Sequence, residues 1–409
     1  LRLRHKAYQC TLTQTISIKY YFFTCLNFSR PSSSHAMEHL GINMFFWHNY
    51  VLIFLSFFIC TILIALAPRA PRLAGQDDHT CAVQSMHVRR TARVGGLAIF
   101  LSIVVSIFFA PDAIAGPYAY LILATLILFL AGIFEDLGFG VSPRDRLIAT
   151  AVASLAVMFF FELWLPRVEI PGLDRVMWHW AVGIPVTLLI TAGVANAFNM
   201  VDGVNGLSSL SAMTAALTLA YIAQKSGYAD IVPLAIMLAS TVLGFFLLNY
   251  PFGLIFLGDG GAYVLGFILS WLGIFIIANA PDVSPWAIVL TMFWPIADMV
   301  LSIYRRSKRK KATTAPDRLH AHQMVMRTLE IHFLGRGRRG LANPLTTLIL
   351  APFVIVPALT GVLFWDQPRA AFFAVVFFSV VFVLSYTYAR PIVRRLKGRV
   401  QSVTDNSSI

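Results

Sequence analysis

The sequence predicts an all-α, polytopic integral membrane protein with about eleven transmembrane helices, on three observations. Of its 409 residues, 58% are hydrophobic and only 12% charged, with a mean hydropathy of +0.73. A soluble domain carries roughly a quarter charged residues. The apolar runs are also too long for core helices, since a span needs ~20 residues. Finally, these runs are continuous rather than alternating, which rules out a barrel and leaves helices to satisfy the backbone in lipid.

Taken in order, spans are expected at roughly 43–67, 94–110, 117–134, 147–165, 176–195, 207–224, 231–249, 262–279, 286–303, 344–365 and 370–389. Their direction follows from lysine and arginine. The odd-numbered connections plus the C-terminal tail hold 23 such residues, and the even-numbered connections hold four, Arg167, Arg175, Lys225 and Arg369. That asymmetry puts the odd connections and the C-terminus in the cytoplasm. The net charge of +13 needs no nucleic acid, because basic loops beside anionic headgroups account for it.

Residues 1–36 carry five basic and no acidic residues and start at Leu1. They are expected to be an over-extended or disordered N-terminus, with Met37 as the start. Residues 37–390 then form a single transmembrane domain and 391–409 a basic cytoplasmic tail. Cys10, Cys25, Cys60 and Cys81 show no paired spacing, so no structural disulfide is expected.

Five polar stretches interrupt the apolar chain, and all fall on the predicted cytoplasmic side. Polar groups beside hydrocarbon are costly, so gathering them at one face implies a shared task. The first, HVRRTARVGG (87–96), sets Arg89, Arg90 and Arg93 before a glycine pair and a helix start. That suits a diphosphate, and equally a positive-inside loop. The second, FEDLGFGVSPRDR (134–146), opens with adjacent Glu135 and Asp136. Such acids repel each other unless a cation or proton sits between them, which suits metal binding or a general base. Arg144 and Arg146 are placed to hold a phosphate or to neutralise the pair, and an ordinary charged loop is the alternative.

The third stretch, NAFNMVDGVNGL (196–207), packs Asn196, Asn199, Asp202 and Asn205 among glycines. These side chains offer donors and acceptors to a base or ribose, and at higher density than a plain Asn/Asp/Gly turn needs. The fourth, FLGDGGAYVLG (256–266), frames Asp259 with Gly258, Gly260 and Gly261. A lone carboxylate among glycines at a helix start suits a divalent cation that also grips phosphate oxygens, or a plain helix cap. The fifth, DRLHAHQ (317–323), carries His320 and His322. They share a side only off a helix. No cysteine pair or third histidine lies at zinc spacing, and imidazoles facing phosphate are the better reading. Asp298, inside the ninth span, is expected to pair with Arg305 on the same helical face.

Together these stretches resemble the polyprenyl-phosphate N-acetylhexosamine-1-phosphate transferases, over about residues 43–390. The family contains the undecaprenyl-phosphate GlcNAc-1-phosphate transferases and the phospho-MurNAc-pentapeptide translocases. NxxNxxDGxNGL and FxGDxG in successive loops of one polytopic chain are jointly specific. VSPRDRL and SPWAIVLTMFWPIADMVLSIYRR are further similar to the branch that initiates O-antigen and related surface polysaccharides.

The resemblance implies Mg²⁺-dependent transfer of N-acetylhexosamine-1-phosphate from a UDP-sugar to undecaprenyl phosphate, with release of UMP. It implies Mn²⁺ as the alternative ion, a multi-pass bacterial inner-membrane location and an active site facing the cytoplasm, and it leaves a homodimer open. It makes Asp259 the magnesium ligand, with Asp202 beside it. Glu135 and Asp136 become the acids near the lipid phosphate. Arg93, Asn196, Asn199, Asp202, Asn205, His320 and His322 become substrate-binding. Two departures stand out: Glu135 occupies a position usually held by aspartate, and Asn205 one where many relatives carry a second aspartate. HAHQ also differs from the triple histidine of the peptidoglycan translocase, which sets that enzyme second as a reading. A membrane transporter is the rival from another class, but transporters place polar groups at mid-membrane on broken helices, not in loops on one face.

Overall fold

The computed structural model describes residues 34–74, 91–308, 320–335 and 338–406. The expectations for residues 1–33 and for Arg89 and Arg90 lie outside these. The chain divides into a short N-terminal unit, Leu1–Trp47, and a main unit, His48–Ile409; the site lies in the main unit. Among the described residues there is no strand, and one isolated bridge joins Ala92 to Ile255.

The main helices are α1 (Ser34–Leu66), α2 (Gly95–Ser106), α3 (Asp112–Asp136), α4 (Pro143–Phe161), α5 (Trp180–Val201), α6 (Leu207–Lys225) and α7 (Val232–Asn249). They continue with α8 (Gly258–Asn279), α9 (Pro285–Thr291), α10 (Phe293–Lys308), α11 (Ala321–Thr328), α12 (Arg339–Leu363) and α13 (Pro368–Asn406). Each of the eleven expected spans is helical, in the expected order. Length and apolarity qualify eight helices among the described residues as membrane-crossing, or nine with the bent pair α9–α10. The other two fall short for local reasons. Gly95–Phe109 is short, and α4 starts with Arg144, Asp145 and Arg146 in its first turn. This is a multi-pass α-helical membrane protein.

The ninth span differs from expectation. It is not one rod: α9 and α10 meet at 88°. Met292 between them leaves helical geometry at φ −118°, ψ 22°, and Pro295 sits in the first turn of α10. A proline is tolerated there because first-turn N–H groups have no partner inside the helix, so the helix restarts just upstream of it.

Helix α8 is the centre of the bundle. Of its spanning window 94% is buried, against 17% for the last span, and it packs on α2, α3, α5 and α6. Its sequence is apolar all round, as a helix surrounded by helices requires. Glycines set how near its neighbours come. A Cβ on Gly96 would lie 2.2 Å from the Gly261 nitrogen, and one on Gly132 would lie 2.4 Å from the Gly260 Cα. Backbones touch where those side chains are missing, the packing mode of membrane helices that lack a hydrophobic driving force. Both contacts fall in the first turn of α8, so they hold the ends of α2 and α3 against its N-terminus. Beside them, α4 begins with a capping box in which Ser142 and Asp145 satisfy each other's N–H groups behind Pro143.

Candidate active site

Four of the five polar stretches meet at the first turn of α8, and the histidine stretch abuts one of them at Gly203. Gly258 opens it at φ +76°, and a Cβ there would lie 2.1 Å from the Arg93 carbonyl oxygen and 2.6 Å from an Asp136 carboxylate oxygen. Residues 92–96 run alongside the approach to α8. Phe256 N donates to Ala92 O (2.7 Å), Gly95 N to Phe256 O (2.9 Å) and Gly96 N to Leu257 O (2.7 Å).

Asp136, the last residue of α3, is buried and accepts from Asp259 N at 2.8 Å and from Gly260 N at 2.9 Å, one bond on each oxygen. The first N–H groups of a helix lack intrahelical partners and carry its positive end. Asp136 therefore caps α8 from a different helix. Asp202, just past α5, accepts from the Gly258 N–H on the same turn. Burial pushes its carboxyl up to about 7, against the pull of the Arg93 guanidinium and of that hydrogen bond. The charges that act on Asp136 are those of Arg93, Asp202 and Glu135.

Asp259 does not cap the helix through its side chain. The helix starts at Gly258, ahead of the expected 262, with no side-chain cap, and the Asp259 carboxylate pairs with Arg146. Arg146 was expected to hold a phosphate or to neutralise the Glu135–Asp136 pair. The fold of α4 instead brings it over the Tyr263 ring, 5.7 Å from its centroid, and onto Asp259. The Tyr263 hydroxyl donates to Asn196 Oδ1 at 3.2 Å, and Asn199 bonds the same hydroxyl. Tyr263 was missed as a site residue, although its position one turn after Asp259 puts it on the same helical face.

His320 precedes α11 in extended conformation, so it and His322 escape the divergence that a helix would impose. Their rings stack at 5.6 Å and 15°. His322 is 1% exposed, and neither of its ring nitrogens has a hydrogen-bond partner. Its Nε2 stands against the turn carrying Asp202, 2.4 Å from where a Cβ on Gly203 would be. Burial, only partly countered by the Asp298 carboxylate, lowers its pKa to about 4, so the ring is neutral at pH 7. Glu135 Oε2 and Gln323 Oε1 are likewise buried without partners. Buried polar atoms are rarely left unpaired in native proteins, and these mark where a polar ligand would fit.

Asn205, expected at the substrate, also ties the α5–α6 turn to its surroundings, and its Oδ1 is buried without a partner. Its N–H donates to Asn343 Oδ1 (2.7 Å), its carbonyl accepts from Thr347 (2.6 Å) and its amide donates to Pro251 O (3.1 Å). Asp298, expected to pair with Arg305, hydrogen-bonds His320 at 2.8 Å and the Ala321 N–H at 3.1 Å. Arg305 donates to the Tyr386 hydroxyl at 2.5 Å and to Ser302 at 3.3 Å. The bend between α9 and α10 re-aims α10, so helical spacing along a straight span did not identify these partners.

Among the described residues, no group of three or more His, Cys, Asp or Glu side chains is placed to hold a metal ion unaided. Mg²⁺ needs no such cage, because one or two carboxylates plus substrate phosphates and water suffice. Asp259 and Asp202 fit that chemistry: the first already attracts a cation in Arg146, and the second is a half-buried acid set beside the same turn. Each Asp136 oxygen already takes one backbone N–H of this turn.

Residues 118–277 match the family model described as Glycosyl transferase family 4. The chain is 28% identical over 279 residues to a probable undecaprenyl-phosphate N-acetylglucosaminyl 1-phosphate transferase of Bacillus subtilis, covering 66% of this chain and 75% of that one. It is 25% identical over 325 residues to the undecaprenyl-phosphate alpha-N-acetylglucosaminyl 1-phosphate transferase of Yersinia pestis, covering 76% and 86%. Similarity to the decaprenyl-phosphate N-acetylglucosaminephosphotransferase of Mycobacterium tuberculosis is 25% over 278 residues, covering 61% and 69%.

Proposed function

Because the chain belongs to the polyprenyl-phosphate hexosamine-1-phosphate transferases and is a sugar-1-phosphate transferase, we propose that it moves an N-acetylhexosamine-1-phosphate from a UDP-sugar to undecaprenyl phosphate. UMP leaves, and the product is a lipid-linked diphosphate sugar that starts a surface polysaccharide such as O-antigen. The observation that carries this reading is the convergence of Asp136, Asp202 and the Arg146-paired Asp259 on one turn at the N-terminus of the central helix. Electropositive helix ends and buried carboxylates together suit a site where phosphates meet a cation.

In this reading a lipid phosphate oxygen attacks the sugar-bearing phosphorus, and the bond to the UMP oxygen breaks. Asp259 and Asp202 would hold Mg²⁺, which when bound would supply electrostatic stabilisation of the charge that develops on phosphate oxygens. The residues of the chain orient the two anions. Arg93, beside Asp202 and Asp136, draws phosphate to the turn. Asn196 and Asn199, joined through Tyr263, line the nucleotide side.

Of the two adjacent acids, Glu135 is the better candidate to receive or exclude the acceptor's proton, because it has a buried oxygen without a partner. Asp136 holds the turn that the reaction is built around. His320 and His322 meet phosphate oxygens. The lysine and arginine asymmetry supports a site facing the cytoplasm of a bacterial inner membrane, and the acceptor's prenyl chain reaches it laterally between helices.

The test is to incubate purified protein with undecaprenyl phosphate, Mg²⁺ and a panel of UDP-N-acetylhexosamines, measuring UMP. Release with one of them, dependent on both the lipid and Mg²⁺, is expected. No release with any donor, or release without the lipid, would overturn the proposal.

A further inference from the structure

Asp298 is not used by the chemistry above, and its surroundings are unusual for an acid within a membrane-spanning pair of helices. It is 2% exposed. The 88° bend between α9 and α10 sets it behind the histidine segment rather than against lipid. One carboxylate oxygen accepts the Ala321 N–H at 3.1 Å, at the start of α11. The other lies 2.8 Å from His320 Nδ1 and 4.0 Å from His322 Nδ1. A buried charge is expensive, and one matched this closely to a single ring has a reason to be there.

A carboxylate only accepts hydrogen bonds, so His320 Nδ1 must carry the proton in that contact. This holds for neutral and for charged imidazole alike. Nε2 is then the nitrogen left to meet a ligand, and the ring cannot turn over without breaking the bond. Stacking on His322 holds the ring plane, and His322 in turn abuts Gly203, next to Asp202.

We propose that Asp298 is a positioning residue of this site: a buried carboxylate that holds the His320 ring with Nδ1–H toward itself and Nε2 toward the phosphate oxygens of the reactants. The inference rests on the sugar-1-phosphate transfer reading and adds to it a residue outside the stretches that carry the other site acids. It also accounts for why α11 starts where it does. The same carboxylate accepts from the first N–H of that helix, so one acid orients His320 and anchors the segment carrying His322.

Asp298→Asn separates orientation from packing. Asparagine is nearly isosteric and still accepts from Ala321 N–H, but it can present an N–H to His320 Nδ1. That selects the opposite tautomer, with the proton on Nε2. The experiment compares kcat and KM for UMP release in wild type, Asp298→Asn, His320→Ala, His320→Asn and the double variant Asp298→Asn/His320→Ala.

A loss in kcat of about a hundred-fold or more is expected for each single variant, of the kind that accompanies a wrong histidine tautomer, with KM for the UDP-sugar changed by less than about three-fold. The double variant is expected to be no worse than His320→Ala, because an effect exerted through a ring vanishes with the ring. His320→Asn keeps a donor for Asp298 but lacks Nε2, so it should fall as far as His320→Ala. If Asp298→Asn does not fold, the His320 tautomer of the wild type, read by nitrogen NMR of labelled histidine, decides: a proton on Nε2 and none on Nδ1 would overturn the proposal.

Near-wild-type activity of His320→Asn would overturn the proposal. So would an Asp298→Asn loss of equal size with and without His320, because a purely structural acid behaves that way. Wild-type protein that releases no UMP from any donor would sink the transfer reading itself. An active wild type with independent single effects would sink only the role of Asp298.

Discussion

Replacing Asp136 by asparagine removes one of the two acceptors that hold the start of the central helix. In the native site each carboxylate oxygen takes one backbone N–H, from Asp259 at 2.8 Å and from Gly260 at 2.9 Å. An asparagine keeps one acceptor oxygen and turns an NH₂ group toward the other donor. The lost bond is charge-assisted and contributes about 1.5–3 kcal/mol, and the N–H left buried and unpaired costs a further ~1–3 kcal/mol. Some relaxation of the turn offsets part of this, so a net destabilisation of about 2–4 kcal/mol is expected.

By the usual scaling for a chain of 409 residues that lowers the melting temperature by roughly 2–5 °C. Thermal melts of detergent-purified wild type and Asp136→Asn, followed by tryptophan fluorescence, measure it directly, with UMP release assayed in parallel. Activity should fall together with stability, because the turn carrying Asp259 loosens. Glu135→Gln is the control: its carboxylate holds no backbone donor of α8, so it should lose turnover while melting like wild type. An Asp136→Asn protein that melts within a degree of wild type but is inactive would refute the reasoning. It would return Asp136 to direct contact with the reactants.

Asp259→Asn should abolish UMP release with the fold retained, as judged by melting and gel filtration; normal activity would remove its assignment as a magnesium ligand. Gly132→Ala places a Cβ 2.4 Å from the Gly260 Cα, against backbone that cannot move aside. A loss of about 3 kcal/mol is expected, at the upper end for overpacking, and an unchanged melting temperature would contradict the contact. His322 contributes a pH dependence whose sign is fixed. Its folded pKa of about 4 lies below the 6.5 of a free imidazole side chain, so the unfolded chain binds a proton in that window and the folded protein does not. Stability should therefore fall as pH drops from 6.5 toward 4, by about 2 kcal/mol at pH 5. His322→Asn should shrink the difference in melting temperature between pH 7.5 and pH 5; an undiminished difference would remove His322 as its source.

The sequence by itself determined the helical class, the order of the spans and the stretches that carry chemistry. Each of those rests on local information: run length against membrane thickness, and polar residues clustered within a dozen positions. What it could not determine was how the acids divide their work. Glu135 and Asp136 are neighbours, yet one has a buried oxygen without a partner and the other caps a helix 123 positions away. Arg146 could have served the pair beside it and serves Asp259 instead, because capping and packing turn α4 toward α8. Asp298 found His320 only because the span carrying it bends by 88°. Such partnerships depend on where separate helices cross, and hydropathy and spacing along one segment carry no record of that. Tertiary structure decided them, since a buried charge takes whichever donor the fold brings within reach.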